Sequence, residues 1–186
     1  MSRPLRIQFP GAVYHIFTRG NAKQDIFRTD EDRYAFQKKL GEVVKVYDWI
    51  CHTSCLMGNH YHLLVETLKG NLSLGMQSLN SDYAMGFHDR NGTDGHLFKG
   101  RFESRLIEKE AYLLEVMRYI VNNPVQAGLV EHPKDWKWSS YRAIAGIEDA
   151  PEFLMSDWVL GQFANDRKVA QALYQKFVEE GIGRES

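Results

Sequence analysis

Two β-forming runs that flank Gly58-Asn59 constrain the fold of this chain more than any other feature of its sequence. Residues 48–57 and 60–66 are rich in residue types that favour strands, and a Gly-Asn pair between two such runs is typical of a tight turn. The sequence therefore predicts an antiparallel β-hairpin in the middle of the chain.

The second strand of this hairpin carries two histidines, His60 and His62. Successive side chains of a strand alternate between its faces, so both imidazoles point one way while Tyr61, Leu63 and Val65 point into a core. Two imidazoles on one face can bind one divalent ion and leave positions for a third ligand, water or substrate oxygens. The same pattern fits two half-exposed sheet histidines, so both interpretations stay open at this point.

The flanking segments predict an α+β fold. Residues 11–19 alternate as a strand, a helix begins at Thr29 or Asp30, and a second helix follows the hairpin. Residues 96–107 are predicted as a further strand, and residues 110–122 as a third helix that Pro124 ends. The order strand, helix, hairpin, helix, strand is ferredoxin-like, an antiparallel sheet with two helices on one face.

The third helix is then free to cover the opposite face of the sheet, toward which the two histidines point. We expect residues 1–130 to form the core, and residues 131–186 to form a helical C-terminal extension docked on it. The chain is 44% hydrophobic over 186 residues, which is enough for a single-domain core.

Composition also bounds the environment and the partners. The two cysteines form no Cys-x-x-Cys pair, no secretory leader is recognisable, and no apolar run approaches the roughly 20 residues that cross a bilayer. We therefore expect a soluble cytoplasmic protein with no membrane partner. Residues 1–145 carry 19 Lys/Arg and 16 Asp/Glu, whereas residues 146–186 carry 4 and 8, so the sequence allows local basic surface within the first 145 residues.

The predicted third helix carries Tyr119 and Asn123, four residues apart and therefore on one helix face. An amide oxygen at Asn123 can supply a third metal ligand. A phenolic oxygen at Tyr119, one turn away, can attack a polarised phosphodiester. Tyr119 by itself fits a buried or interfacial aromatic better than a nucleophile, and only the combination gives it a chemical meaning.

Five segments of the chain occur together in the same order in one known family. They are residues 14–21, 57–64, 95–102, 118–130 and 138–141. In these segments the chain closely resembles the REP-associated tyrosine transposases, members of the single-tyrosine HUH transposase superfamily. The resemblance spans residues 11 to about 145 and extends weakly to the C-terminus.

The resemblance implies a function for each matching position. His60 and His62 are the two histidines of the HUH motif, Asn123 is the third metal ligand, and Tyr119 is the nucleophile. It implies Mg²⁺ or Mn²⁺ as cofactor and a bacterial cytoplasmic location. The implied substrate is single-stranded DNA with REP-like hairpins, cut to leave a 5′-phosphotyrosine and a free 3′-hydroxyl. Tyr61 stands where the family usually has an aliphatic residue, which raises the question of whether its hydroxyl has a polar partner. Since it alternates with His60 and His62, we expect it to face away from the metal.

Basic and aromatic residues near the two ends of the predicted sheet are candidates for DNA contacts. The candidate cations are Arg19, Lys23, Lys99, Arg101 and Arg105, and the candidate stacking surfaces are His96 and Phe98. Each of them also fits an ordinary surface cation or sheet residue.

Two alternatives to a DNA-cleaving and DNA-joining transposase stay open at this level. One is a domesticated module that binds DNA or RNA hairpins without chemistry, and the other is a metallohydrolase that uses a metal-bound water. The sequence permits either a monomer or a homodimer.

Overall fold

The computed structural model describes residues 6–108 and 110–183; the other residues of the two predicted units lie outside this description. The described residues form a mixed α+β fold around a four-stranded sheet with the order β2-β3-β1-β4, in which every pairing is antiparallel. This is the predicted ferredoxin-like arrangement, which is confirmed. The elements are β1 (Ala12–Arg19), α1 (Asp30–Tyr47), β2 (Trp49–Leu56), β3 (His60–Thr67), α2 (Leu72–Asn91), β4 (Glu103–Leu106), α3 (Glu110–Gln126), α4 (Tyr141–Ile144), α5 (Asp157–Gly161) and α6 (Arg167–Glu179).

The two faces of the sheet have different coverings. Helices α1 and α2 cover one face, where Ile16 and Leu63 are completely buried. On the opposite face, β1 and β3 pair so that Phe17 lies across from His62 and Arg19 across from His60. The period-two alternation of β1 therefore separates an apolar core face from a face that carries chemically active side chains.

Local interactions fix the helices of the core face. Thr29 and Asp32 form a capping box that begins α1, in which each side chain accepts a hydrogen bond from the backbone N–H of the other residue. Helix α2 approaches β2 so closely at Gly75 that a Cβ there would lie 2.1 Å from Cζ2 of Trp49. The tight contact of helix and sheet thus depends on the missing side chain.

The C-terminal segment packs against α3. The side chains of Tyr174 and Val178 on α6 are fully buried, and Asn122 Nδ2 on α3 donates to the carbonyl oxygen of Val178 at 3.0 Å. The guanidinium of Arg118 lies 4.4 Å from the ring centre of Phe177. Helix α6 therefore packs against the side of α3 that carries Arg118 and Asn122.

Two predictions about element boundaries are wrong. Residues 96–102 are not strand; they hydrogen-bond to the end of β1 through the N–H of Asn21 and the N–H of Lys99, and only Glu103–Leu106 forms β4. The glycines at positions 95 and 100 disfavour a regular extended conformation in this stretch. Helix α3 does not end before Pro124 but continues through it to Gln126.

Two further observations concern the cysteines and the helices. Cys51 and Cys55 are both buried and free of disulfide bonds. None of the helices in the described part of the chain is long and apolar enough to cross a membrane.

Candidate active site

The predicted metal ligands and the predicted nucleophile lie together on the face of the sheet opposite α1 and α2. His60 Nε2 on β3 lies 3.1 Å from Asn123 Oδ1 on α3. The ring of Tyr119, one helical turn before Asn123, meets the ring of His62 edge to face, with 5.6 Å between ring centres. All four side chains belong to one chain, and two elements, β3 and α3, supply them.

The hydrogen bonds of His60 indicate which of its nitrogens is available for a ligand. Its Nδ1 lies 2.7 Å from Asn59 Oδ1 and its Nε2 lies 3.1 Å from Asn123 Oδ1; both oxygens only accept, and a neutral ring has one proton to donate to one of them. Burial lowers the pKa of His60, a shift that its bond to Asn123 opposes and the charge of Arg19 reinforces, which keeps the ring neutral. With the proton on Nδ1, at the shorter of the two contacts, Nε2 keeps a lone pair beside the Asn123 oxygen.

Two acceptor atoms at this separation suit a shared cation. Ligands about 2.1 Å from an octahedral ion and at right angles to each other lie about 3.0 Å apart, close to the 3.1 Å between His60 Nε2 and Asn123 Oδ1. Within residues 6–108 and 110–183, no group of three or more His, Cys, Asp or Glu side chains is arranged to hold a metal ion. Two histidines and the neighbouring amide oxygen are the side chains that could hold an ion here.

His15 is a member of this site that the sequence interpretation missed. Its Nε2 lies 2.9 Å from His62 Nδ1, and the two rings stack with 5.2 Å between centres. The alternation of β1 places His15 on the same face as Phe17 and Arg19, which is the signal that could have found it. Its partner depends on the pairing of β1 with β3, which the sequence alone does not specify.

Burial keeps this pair of histidines neutral as well. It lowers the pKa of His62 well below the usual value, and the neighbouring His15 and His60 lower it further. Burial and, to a lesser extent, the charge of Arg105 lower the pKa of His15 to about 4. At neutral pH all three rings are uncharged and keep lone pairs for bonding.

The site opens into a groove of about 1560 Å³ with a strongly positive lining. Among residues 6–108 and 110–183, seven Lys or Arg side chains line it against two Glu. The cations are Arg6, Arg19, Lys23, Lys99, Arg101, Arg105 and Arg118. The five cations predicted as DNA contacts are all among them, which gives the groove the charge that a polyanion requires.

The two predicted stacking residues lie elsewhere. Phe98 packs toward the core face of the sheet, with its ring centre 6.4 Å from those of Tyr61 and Tyr83. His96 is exposed, and its carbonyl oxygen accepts a hydrogen bond from Gln24. Neither side chain lines the groove.

Tyr61 faces away from the imidazoles, as expected from strand alternation. Its ring is completely buried, and its hydroxyl donates to Asn80 Oδ1 on α2 at 2.5 Å. Burial raises the pKa of Tyr61, which keeps the phenol protonated as a donor. The departure from an aliphatic residue at this position thus comes with a polar partner across the core.

Comparison with known proteins agrees with this architecture. The family described as Transposase IS200 like matches residues 8–123. A candidate REP-associated tyrosine transposase of Haemophilus influenzae is 26% identical over 134 residues, which cover 66% of this chain and 74% of that protein.

A solved REP-associated tyrosine transposase bound to a REP hairpin superposes with a TM-score of 0.67 at 17% identity, over 84% of this chain and 93% of that chain. This likeness shows a common fold. The resemblance predicted from the ordered sequence segments is confirmed, and the family match extends over more than half of the residues. The chain therefore belongs to the IS200-like transposase family.

Proposed function

We propose that this protein is a metal-dependent transposase that cleaves and rejoins single-stranded DNA beside hairpins, through a phosphotyrosine formed on Tyr119. One observation carries the proposal. The phenol of Tyr119 lies against His62, one turn from the pair made by Asn123 and His60, on the wall of a positively charged groove.

His60, His62 and Asn123 would hold a Mg²⁺ or Mn²⁺ ion. When bound, the ion supplies positive charge to the nonbridging oxygens of the phosphodiester, and three neutral ligands leave that charge uncancelled. Since two imidazoles and an amide are weak ligands for so hard a cation, we expect the metal and the DNA phosphate to bind together.

The reaction itself belongs to Tyr119. Its phenolic oxygen attacks the phosphorus, and the bond from phosphorus to the 3′ oxygen breaks as the new bond forms. The phenol loses its proton and the departing 3′ oxygen gains one, which leaves a free 3′-hydroxyl and a 5′-phosphotyrosine. Attack by another 3′-hydroxyl reverses these changes and joins two strands without an external energy source.

The groove supports a nucleic-acid substrate. Arg19 and Lys23 lie at one end of β1, and Lys99, Arg101 and Arg105 follow along the loop and strand beside it. Such a row of cations tracks a phosphate backbone without reading its sequence. The solved transposase of the same fold is bound to a REP hairpin, which supports a DNA hairpin as the partner here.

The decisive experiment detects the covalent intermediate. The full chain is incubated with Mn²⁺ and a library of single-stranded oligonucleotides that carry a hairpin stem and randomised flanks. On a denaturing gel we expect a shifted protein band that carries a label from the 3′ end of the DNA, while a 5′ label leaves with the released fragment. The reverse labelling pattern would contradict a 5′-phosphotyrosine.

Variants separate the proposal from its alternatives. Tyr119→Phe should abolish the adduct, whereas Tyr112→Phe, a matched change two helical turns earlier on α3, should keep it. Cleavage that persists in Tyr119→Phe but disappears in His60→Ala would indicate a metallohydrolase. Hairpin binding without metal and without any cleavage would indicate a binding module.

A further inference from the structure

The contact between His15 and His62 goes beyond the metal ligands of the proposed function. His15 lies on β1 and His62 on β3, and the 2.9 Å separation of His15 Nε2 and His62 Nδ1 is a hydrogen bond between two imidazoles. Apart from this bond, the imidazole of His62 makes no hydrogen bond to another described residue. His15 is therefore the polar group that determines how the ring of His62 is used.

Two neutral imidazoles share one proton across such a contact, and the proton has two possible positions. If His15 Nε2 donates, His62 carries its proton on Nε2 and has no lone pair on the nitrogen that points away from His15. If His62 Nδ1 donates, Nε2 of His62 is free to act as a ligand. Only the second arrangement is compatible with a metal held by Nε2.

The neighbouring ligand shows the same arrangement with a different partner. His60 Nδ1 is held by the side-chain oxygen of Asn59, and its Nε2 points toward Asn123. Both candidate ligands thus have a side-chain atom able to accept a hydrogen bond beside Nδ1, and such a partner is the usual way in which proteins fix the tautomer of a metal-binding histidine. Stacking at an interplanar angle of 26° also restrains the rotation of His62 against His15.

We propose that His15 is a positioning residue that accepts the Nδ1 proton of His62 and so directs the Nε2 lone pair of His62 toward the metal. The proposal rests on the proposed function, since it requires His62 to be a ligand.

The test measures metal affinity rather than activity. In a Tyr119→Phe background, which cannot react, Mn²⁺ is titrated by electron paramagnetic resonance in the presence of a single-stranded hairpin oligonucleotide. His15→Phe keeps a flat ring without an acceptor, and His15→Gln places an amide oxygen near the position of Nε2. We expect His15→Phe to weaken Mn²⁺ binding by about 10- to 100-fold, and His15→Gln to recover most of the loss.

The comparison with His62→Ala distinguishes the two proposals. If His62→Ala weakens Mn²⁺ binding while His15→Phe does not, or if Gln and Phe at position 15 are equally impaired, the role of His15 is wrong and the metal site stands. If His62→Ala has no effect on Mn²⁺ binding, the metal site is wrong, and the role of His15 with it.

A measurement on the wild-type side chains avoids any folding defect of the variants. Long-range ¹H–¹⁵N spectra of the Mg²⁺-saturated protein with the same oligonucleotide report which nitrogen of each histidine carries the proton. We expect His62 to be protonated on Nδ1. A proton on Nε2 of His62 would overturn the proposal.

Discussion

Asn123 Oδ1 lies 3.1 Å from His60 Nε2 although the residue that follows Asn123 in helix α3 is a proline. A proline inside a helix costs about 3 kcal/mol, because it removes one hydrogen bond and crowds the preceding turn. Helix α3 buries a row of apolar side chains that includes Met117, Ile120 and Val121. Each contributes roughly 1.5–3 kcal/mol, so packing against the sheet outweighs the proline and holds Asn123 in place.

The first prediction concerns this amide. Asn123→Ala should slow formation of the covalent adduct by at least about tenfold, because it removes the oxygen beside His60. Asn123→Asp keeps an oxygen at that position and should retain more activity than the alanine variant. Initial rates across a Mn²⁺ titration measure both effects, and a wild-type rate for Asn123→Ala would exclude this residue as a ligand.

The second prediction concerns the charge of the groove. Lys99→Ala or Arg101→Ala should weaken binding of single-stranded DNA and reduce the slope of log affinity against log salt by about 0.7 for each phosphate that the variant no longer neutralises. Lys38→Ala, an exposed site on α1 outside the groove, is the matched control and should leave the slope unchanged. Fluorescence anisotropy of a labelled oligonucleotide over a range of NaCl concentrations tests this. Equal slopes for all of the variants would place the DNA elsewhere.

The third prediction compares two buried tyrosines. Tyr61→Phe leaves Asn80 Oδ1 without the donor that lies 2.5 Å from it, so we expect a loss of about 1–3 kcal/mol in the free energy of unfolding. The hydroxyl of Tyr174 is buried without a hydrogen-bond partner in the described part of the chain. Tyr174→Phe should therefore leave stability unchanged or slightly raised. Urea unfolding followed by circular dichroism distinguishes the pair, and similar losses in both would refute the assignment.

The fourth prediction compares two helical glycines. Gly75→Ala would drive a methyl group into the indole of Trp49, and we expect about 1–3 kcal/mol of destabilisation from overpacking. At Gly41 on α1 a new Cβ would lie 3.9 Å from the nearest atom, in Phe153, which is ordinary contact. Gly41→Ala should stabilise the protein by up to about 1 kcal/mol through helix propensity. Thermal unfolding measures the direction of both changes in stability. If Gly75→Ala left stability unchanged, the contact of α2 with β2 would be looser than described.

Much of the fold was accessible from the sequence because local patterns were strong. The alternation of residues 12–19 correctly placed Ile16 and Phe17 on opposite faces of the strand. The hairpin followed from two β-rich runs around Gly58. The strand that contains β4 was predicted, but its short extent was not accessible, because residues 96–107 alternate throughout although only the last part pairs continuously with β1. Alternation reports which residues can form a strand, whereas pairing decides which of them do.

The site was accessible only in part for a related reason. His60 and His62 are neighbours in the sequence, and Tyr119 and Asn123 are one helical turn apart, so each pair could be placed on one face. His15 contacts His62 because the pairing of β1 with β3 brings together residues that lie 47 positions apart in the sequence. Phe98 lies on the core side because it forms a bridge with Gly20, which continues the buried alternation of Ile16 and Thr18. Long-range pairing of this kind leaves no local trace.

The placement of Tyr119 against the histidines of its own chain has a consequence for stoichiometry. In a molecule with the proposed chemistry, one chain supplies the whole reaction centre. The adduct yield per molecule should therefore not fall on dilution, whereas it would fall if α3 had to come from a second subunit. Each reaction centre has one nucleophile, Tyr119, and therefore holds one 5′ end of DNA at a time. Linking two distant breaks would then take two molecules side by side or two successive rounds by one.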